Sequence, residues 1–334
     1  MITIQEIADK TGVSRTTVSN VIHGKTKKVS QATIDKIKKV MDETNFVPNI
    51  TTMNNDETVT RNIGVVTYKE IHGMNSMQDP FVGEFLGTIE KELRKRDYHL
   101  VFVKADAYEE ALSIISAWNM DGLIILGYTE EEYIKLKKKL NKKLILVDAY
   151  PEGEYTFYNV GINDYDGGYQ VGKYLYECGY KNALFLAEMP RGCDLYRWKG
   201  FKDAMELHGE ICDEERYIII GKESFSRGNQ YRKLLPKFLE AKALAFSSDF
   251  NAVEAISILK DLGYKVPDDI SVVGFDDNIY ASLVRPKLTT VRQNVEEKAK
   301  TVVEMLFRVL DGDETGEKCV RKNVQLIERN SVKK

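Results

Sequence analysis

The sequence predicts an α/β protein with parallel sheets flanked by helices, standing behind a small all-α head. Three observations carry this reading. Three short, capped helical patterns fill the first 50 residues, a polar tract follows, and beyond it strand-length apolar runs alternate with helical periodicity.

In the head, Ile4 to Lys10 reads as a first helix, with Thr3 as N-cap and Glu6 three residues on, the pattern of a capping box. Gly12, in the turn Thr11-Gly-Val-Ser14, supplies the positive φ of a tight helix exit. Ser14 then caps a second helix from Arg15 to Val21, closed by His23-Gly24-Lys25. Ser30 opens a third helix through about Thr44, where Ile34, Ile37, Val40 and Met41 make one apolar stripe. Pro48 ends the unit, and residues 49 to 62 are polar and short of helix formers, which marks a linker.

Strands are predicted at Ile63–Tyr68, Leu100–Val103, Gly122–Leu126, Leu144–Val147, Ala183–Leu186, Tyr217–Ile220, Leu244–Phe246 and Ile270–Phe275, each followed by a helical pattern. Such alternation places ligands off the carboxyl ends of the strands. With 334 residues the chain exceeds what one core usually supports, so a small domain attached to a larger one is expected. The 43% hydrophobic and 30% charged composition is that of a globular protein, and no apolar run is long enough to cross a bilayer. The start lacks the pattern of a secretory signal, so a cytoplasmic protein is expected. Cys178, Cys193, Cys212 and Cys319 lie far apart without metal spacing, as reduced thiols in or near the core would, and neither a metal nor a cofactor is expected.

The net charge of −3 is unevenly spread. Residues 1 to 50 hold eight basic and five acidic side chains, so a head of +3 sits on a body of −6, the layout of a nucleic-acid reader joined to something else. An enzyme is disfavoured: there is no G-x-G fingerprint, no G-x-S-x-G elbow and no phosphate loop, and His23, His72, His99 and His208 are scattered. A solute-binding protein would account for the body but not for the basic head.

A helix, a turn containing glycine and a second, polar-faced helix make a helix-turn-helix, whose second helix offers its first turn to base edges in the major groove. The text Ile4-Gln-Glu-Ile-Ala-Asp-Lys-Thr-Gly-Val-Ser-Arg-Thr-Thr-Val-Ser-Asn-Val-Ile-His-Gly24, then Val29-Ser30 and Asn45-Phe-Val-Pro-Asn49, resembles the LacI/GalR family of bacterial repressors. Asp79-Pro-Phe81, Arg197-Trp-Lys-Gly-Phe201, Gly274-Phe-Asp-Asp277 and Leu288-Thr-Thr-Val-Arg-Gln293 extend the resemblance across the chain.

Val13, Val18 and Val21 should pack inward, leaving Arg15, Thr16, Thr17, Ser19 and Asn20 outward. Arg15 can bond a guanine edge and Asn20 an adenine edge, while Thr17 and Ser19 suit phosphate; the alternative is a merely solvated helix face. The resemblance implies that Arg15, Thr16 and Asn20 read bases, and Thr3, Ser14, His23, Asn49 and Met53 complete the DNA-contact set. It also implies a hinge helix that pushes a leucine into the minor groove. Here that place falls on Asn55 and the nearest apolar wedge is Met53, so an intercalating Met53, a weaker kink and a disordered linker all remain open.

For the body, the resemblance implies a sensor like a periplasmic sugar-binding protein, with two lobes, three crossovers and a ligand in the cleft. The expected layout is a head at 1–49, a hinge at 50–61 and an effector-binding and dimerisation domain at 62–330. Its first lobe would span about 62–160 and 292–325, and its second about 161–291. Cleft candidates carried over are Phe81, Asp148, Arg197, Glu223, Ser248 and Asp276. Arg197 is either a five-donor clamp or an interlobe salt bridge, Asp276 accepts hydroxyls or caps the next helix, and Phe81 stacks on a ring or joins the core. Glu223 stands where relatives commonly have an aromatic and Ser248 where they have Asn, with Phe225 as a substitute ring. The segment Lys69–Gln78 is longer than the family's turn and reads as a surface loop, with a flexible lid as the alternative.

The resemblance thus implies a repressor on pseudo-palindromic, double-stranded operator DNA, acting as a two-fold dimer without a C-terminal coiled coil. An inducing sugar or sugar phosphate is expected, with a corepressor as the alternative.

Overall fold

The computed structural model describes residues 3–22, 26, 28–44, 59–67, 70–105, 108–118, 120–127, 130–139, 142–150, 157–313 and 315–334. They fall into two units, 1–60 and 61–334.

The first unit holds α1 (Ile4–Thr11), α2 (Arg15–Ile22) and α3 (Gln31–Glu43). The capping box forms: the Thr3 hydroxyl accepts from the Glu6 amide at 3.2 Å and the Thr3 amide donates to the Glu6 carboxylate at 2.7 Å. Ser14 and Ser30 accept from the Thr17 and Thr33 amides at 3.1 and 3.3 Å, starting α2 and α3. Ile7, Ala8, Val18, Val21, Ile34 and Ile37 are buried together, with Val13, Val40 and Met41 half-buried around them. Lys36 donates to the carbonyl of Thr11 at 2.9 Å and fastens α3 to the end of α1.

The second unit runs β1 (Asn62–Thr67), β2 (Glu70–Ile71), β3 (Met74–Asn75), α4 (Pro80–Arg94), β4 (His99–Lys104), α5 (Tyr108–Ala117), β5 (Gly122–Leu126), α6 (Glu130–Lys139), β6 (Lys143–Val147) and β7 (Asn159–Ile162). It continues through α7 (Asp164–Glu177), β8 (Leu184–Ala187), α8 (Gly192–Leu207), β9 (Tyr217–Ile219), α9 (Ser224–Ala241), β10 (Ala243–Phe246) and α10 (Asp249–Asp261). The last elements are β11 (Ser271–Asp276), α11 (Ile279–Leu283), β12 (Thr289–Arg292), α12 (Val295–Leu310), β13 (Cys319–Lys322) and β14 (Gln325–Ile327).

Two six-stranded sheets result, ordered β13-β7-β6-β5-β1-β4 and β14-β12-β11-β10-β8-β9. Each sheet with its packed helices is called a lobe below. The chain crosses between lobes three times, after β7, after β12 and after β13. Both faces of each sheet are covered, which is why β5, β6 and β10 read as continuous apolar runs rather than alternating ones. Phe85 and Ile89 of α4 and Val302 and Leu306 of α12 cover one face of the first sheet, and Ala111, Ile115 and Leu136 the other. Leu175, Trp198 and Phe201 cover one face of the second sheet, and Phe238, Ala252 and Leu259 the other.

The eight predicted strands all form, but β2, β3, β7, β12, β13 and β14 escape the sequence reading. The second sheet is not wholly parallel, because β14 runs antiparallel to β12. Cys319 is exposed on β13 rather than filling core, whereas Cys212 is buried. Among the described residues no helix is long and apolar enough to cross a membrane.

Helices α7 and α8 touch backbone to backbone. A Cβ on Gly168 would lie 1.8 Å from the Arg197 carbonyl oxygen, and one on Gly200 would lie 1.9 Å from that of Tyr165. Gly168→Ala and Gly200→Ala should each destabilise the sensor by at least about 3 kcal/mol in urea unfolding, because rigid backbone cannot yield. Gly87→Ala, at an open position of α4, should change stability by no more than about 1 kcal/mol, in the favourable direction.

Candidate functional sites

In the head, α2 exposes Arg15 and Thr16 and leaves Thr17, Ser19 and Asn20 half-buried; Arg15, Thr16, Ser19 and Asn20 share the side away from Val18 and Val21, while Thr17 lies beside Val21. The Ser14 and Thr17 hydroxyls lie 2.9 Å apart at the helix start, and Thr3 is engaged in its capping box. His23, Asn49 and Met53 lie outside the described residues.

In the sensor, the site is built where strands of the two lobes end. Asn159 of β7 clamps Ala149 by donating to its carbonyl at 2.9 Å and accepting from its amide at 3.3 Å. This fixes the turn after β6, where Asp148 has φ 53. At the end of β11, Asp276 and Asp277 have φ 117 and 55. Left-handed non-glycine residues are strained, and such strain gathers at functional sites.

Between these ends lies Lys298 of α12, fully buried, which donates to Asp148 at 2.7 Å and to the side-chain oxygen Oε1 of Gln293 at 2.8 Å. Gln293 in turn donates to Asp276 at 2.7 Å. The ammonium lies 4.4 Å from the centre of the Phe81 ring, which also stacks on Phe85. Phe81, Asp148 and Asp276 are thus drawn into one chain of contacts by two residues, Lys298 and Gln293, that the sequence reading did not select. Asp148 Oδ1 is buried and, among the described residues, has no hydrogen-bond partner.

Arg197 is buried against the Phe275 ring, 3.6 Å from its centre, and donates to Asp164 at 2.6 Å and to the Ser247 carbonyl. Its partner opens α7, which packs on α8, so the pair lies within the second lobe rather than across the lobes. Asp276 does not cap α11; Asn278 does. Ser248 is the buried N-cap of α10, accepting from the Asn251 amide at 3.3 Å. Glu223 is exposed at the start of α9 and makes no capping bond, and Phe225 is 85% exposed and supplies no ring to the strand ends.

A second group of charges also escaped the sequence reading. Arg227, fully buried, pairs with Glu254 and lies 3.6 Å from Glu188, while Asn251 donates to Glu188 at 3.1 Å. Into this group reaches His72, at the tip of a β2–β3 hairpin formed where a surface loop was expected. No local pattern announces such pairings, because each joins residues distant in the chain.

A family model of the bacterial regulatory proteins of the lacI family matches residues 3–49, and one of the periplasmic binding protein-like domain matches residues 173–332. The HTH-type transcriptional regulator MalR of Clostridium butyricum is 30% identical, with 98% of each chain covered. The chain belongs to the LacI family. The HTH-type transcriptional repressor PurR of Haemophilus influenzae is 26% identical over 100% of this chain and 99% of its own. Among solved structures, the lac repressor dimer bound to operator and the anti-inducer ONPF has a TM-score of 0.80 at 22% identity, covering 99% of this chain and 98% of that one. The CelR–cellobiose complex has a TM-score of 0.74 at 23% identity, covering 99% and 100%. This LacI-family protein is therefore a transcriptional regulator with a DNA-binding head and a ligand-binding sensor, not an enzyme.

Burial pushes the Asp164 and Asp276 carboxyls up to about 6, against the pull of the Arg197 guanidinium. Folded, they keep protons that an unfolded chain, titrating near 3.8, has released. The stability they contribute is therefore fully present below 3.8 and is lost as pH rises through about 6. Asp276→Asn removes one such group yet keeps an oxygen for Gln293. Its thermal midpoint should fall less steeply between about pH 4 and pH 6 than that of the wild type.

Proposed function

We propose that this regulator is a cytoplasmic repressor that binds a pseudo-palindromic operator as a homodimer. A sugar or sugar phosphate held between the sensor lobes releases it. The proposed layout is a head at residues 1–49, a hinge at 50–61 and a sensor beyond. The observation that carries the effector reading is the unpartnered buried oxygen of Asp148, set beside Lys298 and linked through Gln293 to Asp276. Acceptors and a fixed cation at strand ends suit a ligand rich in hydroxyls. Structural relatives were solved with cellobiose and with ribose. For the operator, the support is the exposed first turn of α2, with Arg15 and Thr16 outward.

Selection from random duplexes with the full-length protein should yield a palindromic site. Arg15→Ala should weaken that site by about 1–3 kcal/mol, roughly five- to 150-fold, relax one base position and leave thermal stability unchanged. Enrichment of no sequence would remove the operator reading. With the site in hand, operator affinity is measured against a panel of sugars and sugar phosphates. An inducer lowers it, an increase assigns a corepressor instead, and no response to any member removes the sugar reading.

A further inference from the structure

The β2–β3 hairpin leaves the first lobe and ends on the second. Its two-residue loop, His72 and Gly73, has φ 55 and 71, the left-handed pair that a tight hairpin turn requires. The tip is seated against the second lobe so closely that a Cβ on Gly73 would lie 2.6 Å from the Lys222 carbonyl oxygen. His72 Nδ1 lies 2.6 Å from Glu188 Oε1, and its ring stacks on Phe250 at 5.3 Å and 15°. Its Nε2 lies 3.9 Å from Asp79, the N-cap of α4 in the first lobe.

We propose that His72 is a positioning residue of the effector cleft, a latch that holds the two lobes closed by tying the first-lobe hairpin to Glu188 and Phe250 of the second. This deepens the effector reading and rests on it for its consequence. The groups facing the imidazole come from every neighbouring element: Asp79 from α4, Glu188 after β8, Asp276 at the end of β11, and Arg227 of α9 with its partner Glu254 on α10. Carboxylates outnumber cations there. Burial alone would push the imidazole down, but the bond to Glu188 and the charges of Glu188, Asp79 and Asp276 outweigh it and hold His72 above its ordinary 6.5. The latch is thus fully charged below 6.5 and weakens as pH rises through the raised folded value. An effector touching this wall must leave the bridge intact or replace it with its own donors, hydroxyl or ammonium. A phosphate or carboxylate would meet like charge here and has to point toward Lys298 or Arg197.

The test is amide hydrogen exchange on the full-length protein without effector, corrected for the intrinsic pH dependence of exchange. His72→Ala should raise exchange roughly tenfold at amides 70–75 and, in the opposite lobe, at 221–227. His72→Gln, which keeps a donor for Glu188, should raise it less. In the wild type the same two segments should loosen together as pH rises above 6.5 and through the raised folded value of His72, and in His72→Gln they should not. Unchanged exchange at 221–227 in His72→Ala overturns the proposal, as does a wild type insensitive to pH in both segments; the latter needs no variant to fold. Because no effector is present, failure here leaves the effector reading standing, and failure of the sugar panel leaves the latch standing.

Discussion

The ion pair between Arg197 and Asp164 sits where the chain first passes from one sheet to the other, and the sensor is arranged around the need to bury such charges in company. An uncompensated charge in the interior costs several kcal/mol, so each must meet an opposite charge and a hydrogen-bond partner. Arg197 finds Asp164, the Ser247 carbonyl and the Phe275 ring. Lys298 finds Asp148 and Gln293, and Arg227 finds Glu254 with backbone carbonyls of Gly221 and Lys222. The partners always come from different elements. Charge pairing therefore fixes how the strand ends stand to one another, and a ligand bringing its own donors and acceptors acts on that positioning directly.

What is legible in the sequence follows from the range of the interactions involved. The head is local physics: Thr3 and Glu6 are three residues apart, Ser14 and Thr17 likewise, and an apolar stripe at helical spacing supplies the core. The buried parallel strands are equally plain, since burial on both faces writes itself as a run such as Gly122–Leu126. The strands beside the crossings are not. Cys319–Lys322 is half polar and forms only because Asn159–Ile162 offers it a parallel edge, a pairing across 160 residues that no window of sequence contains.

The site divides in the same way. Resemblance reached Asp148 and Asp276, which stand at the ends of β6 and β11, and Arg197, which lies on α8 and pairs within the second lobe. It did not reach Lys298, a lysine in the first turn of an amphipathic helix whose burial is matched by Asp148, 150 positions earlier. Nor did it reach His72, because a histidine on an unusually long turn reads as solvent-facing until a partner 116 residues away is known. Glu223, which the resemblance also offered, is exposed at the start of α9.

The contact between α7 and α8 has a mechanical meaning. Gly168 rests on the carbonyl of Arg197 itself, and Gly200 on that of Tyr165, so at these two points no compressible side chain separates the helices. A shift of the chain where it leaves β7 at Asn163 is therefore delivered to the guanidinium almost undamped, as through a stiff lever.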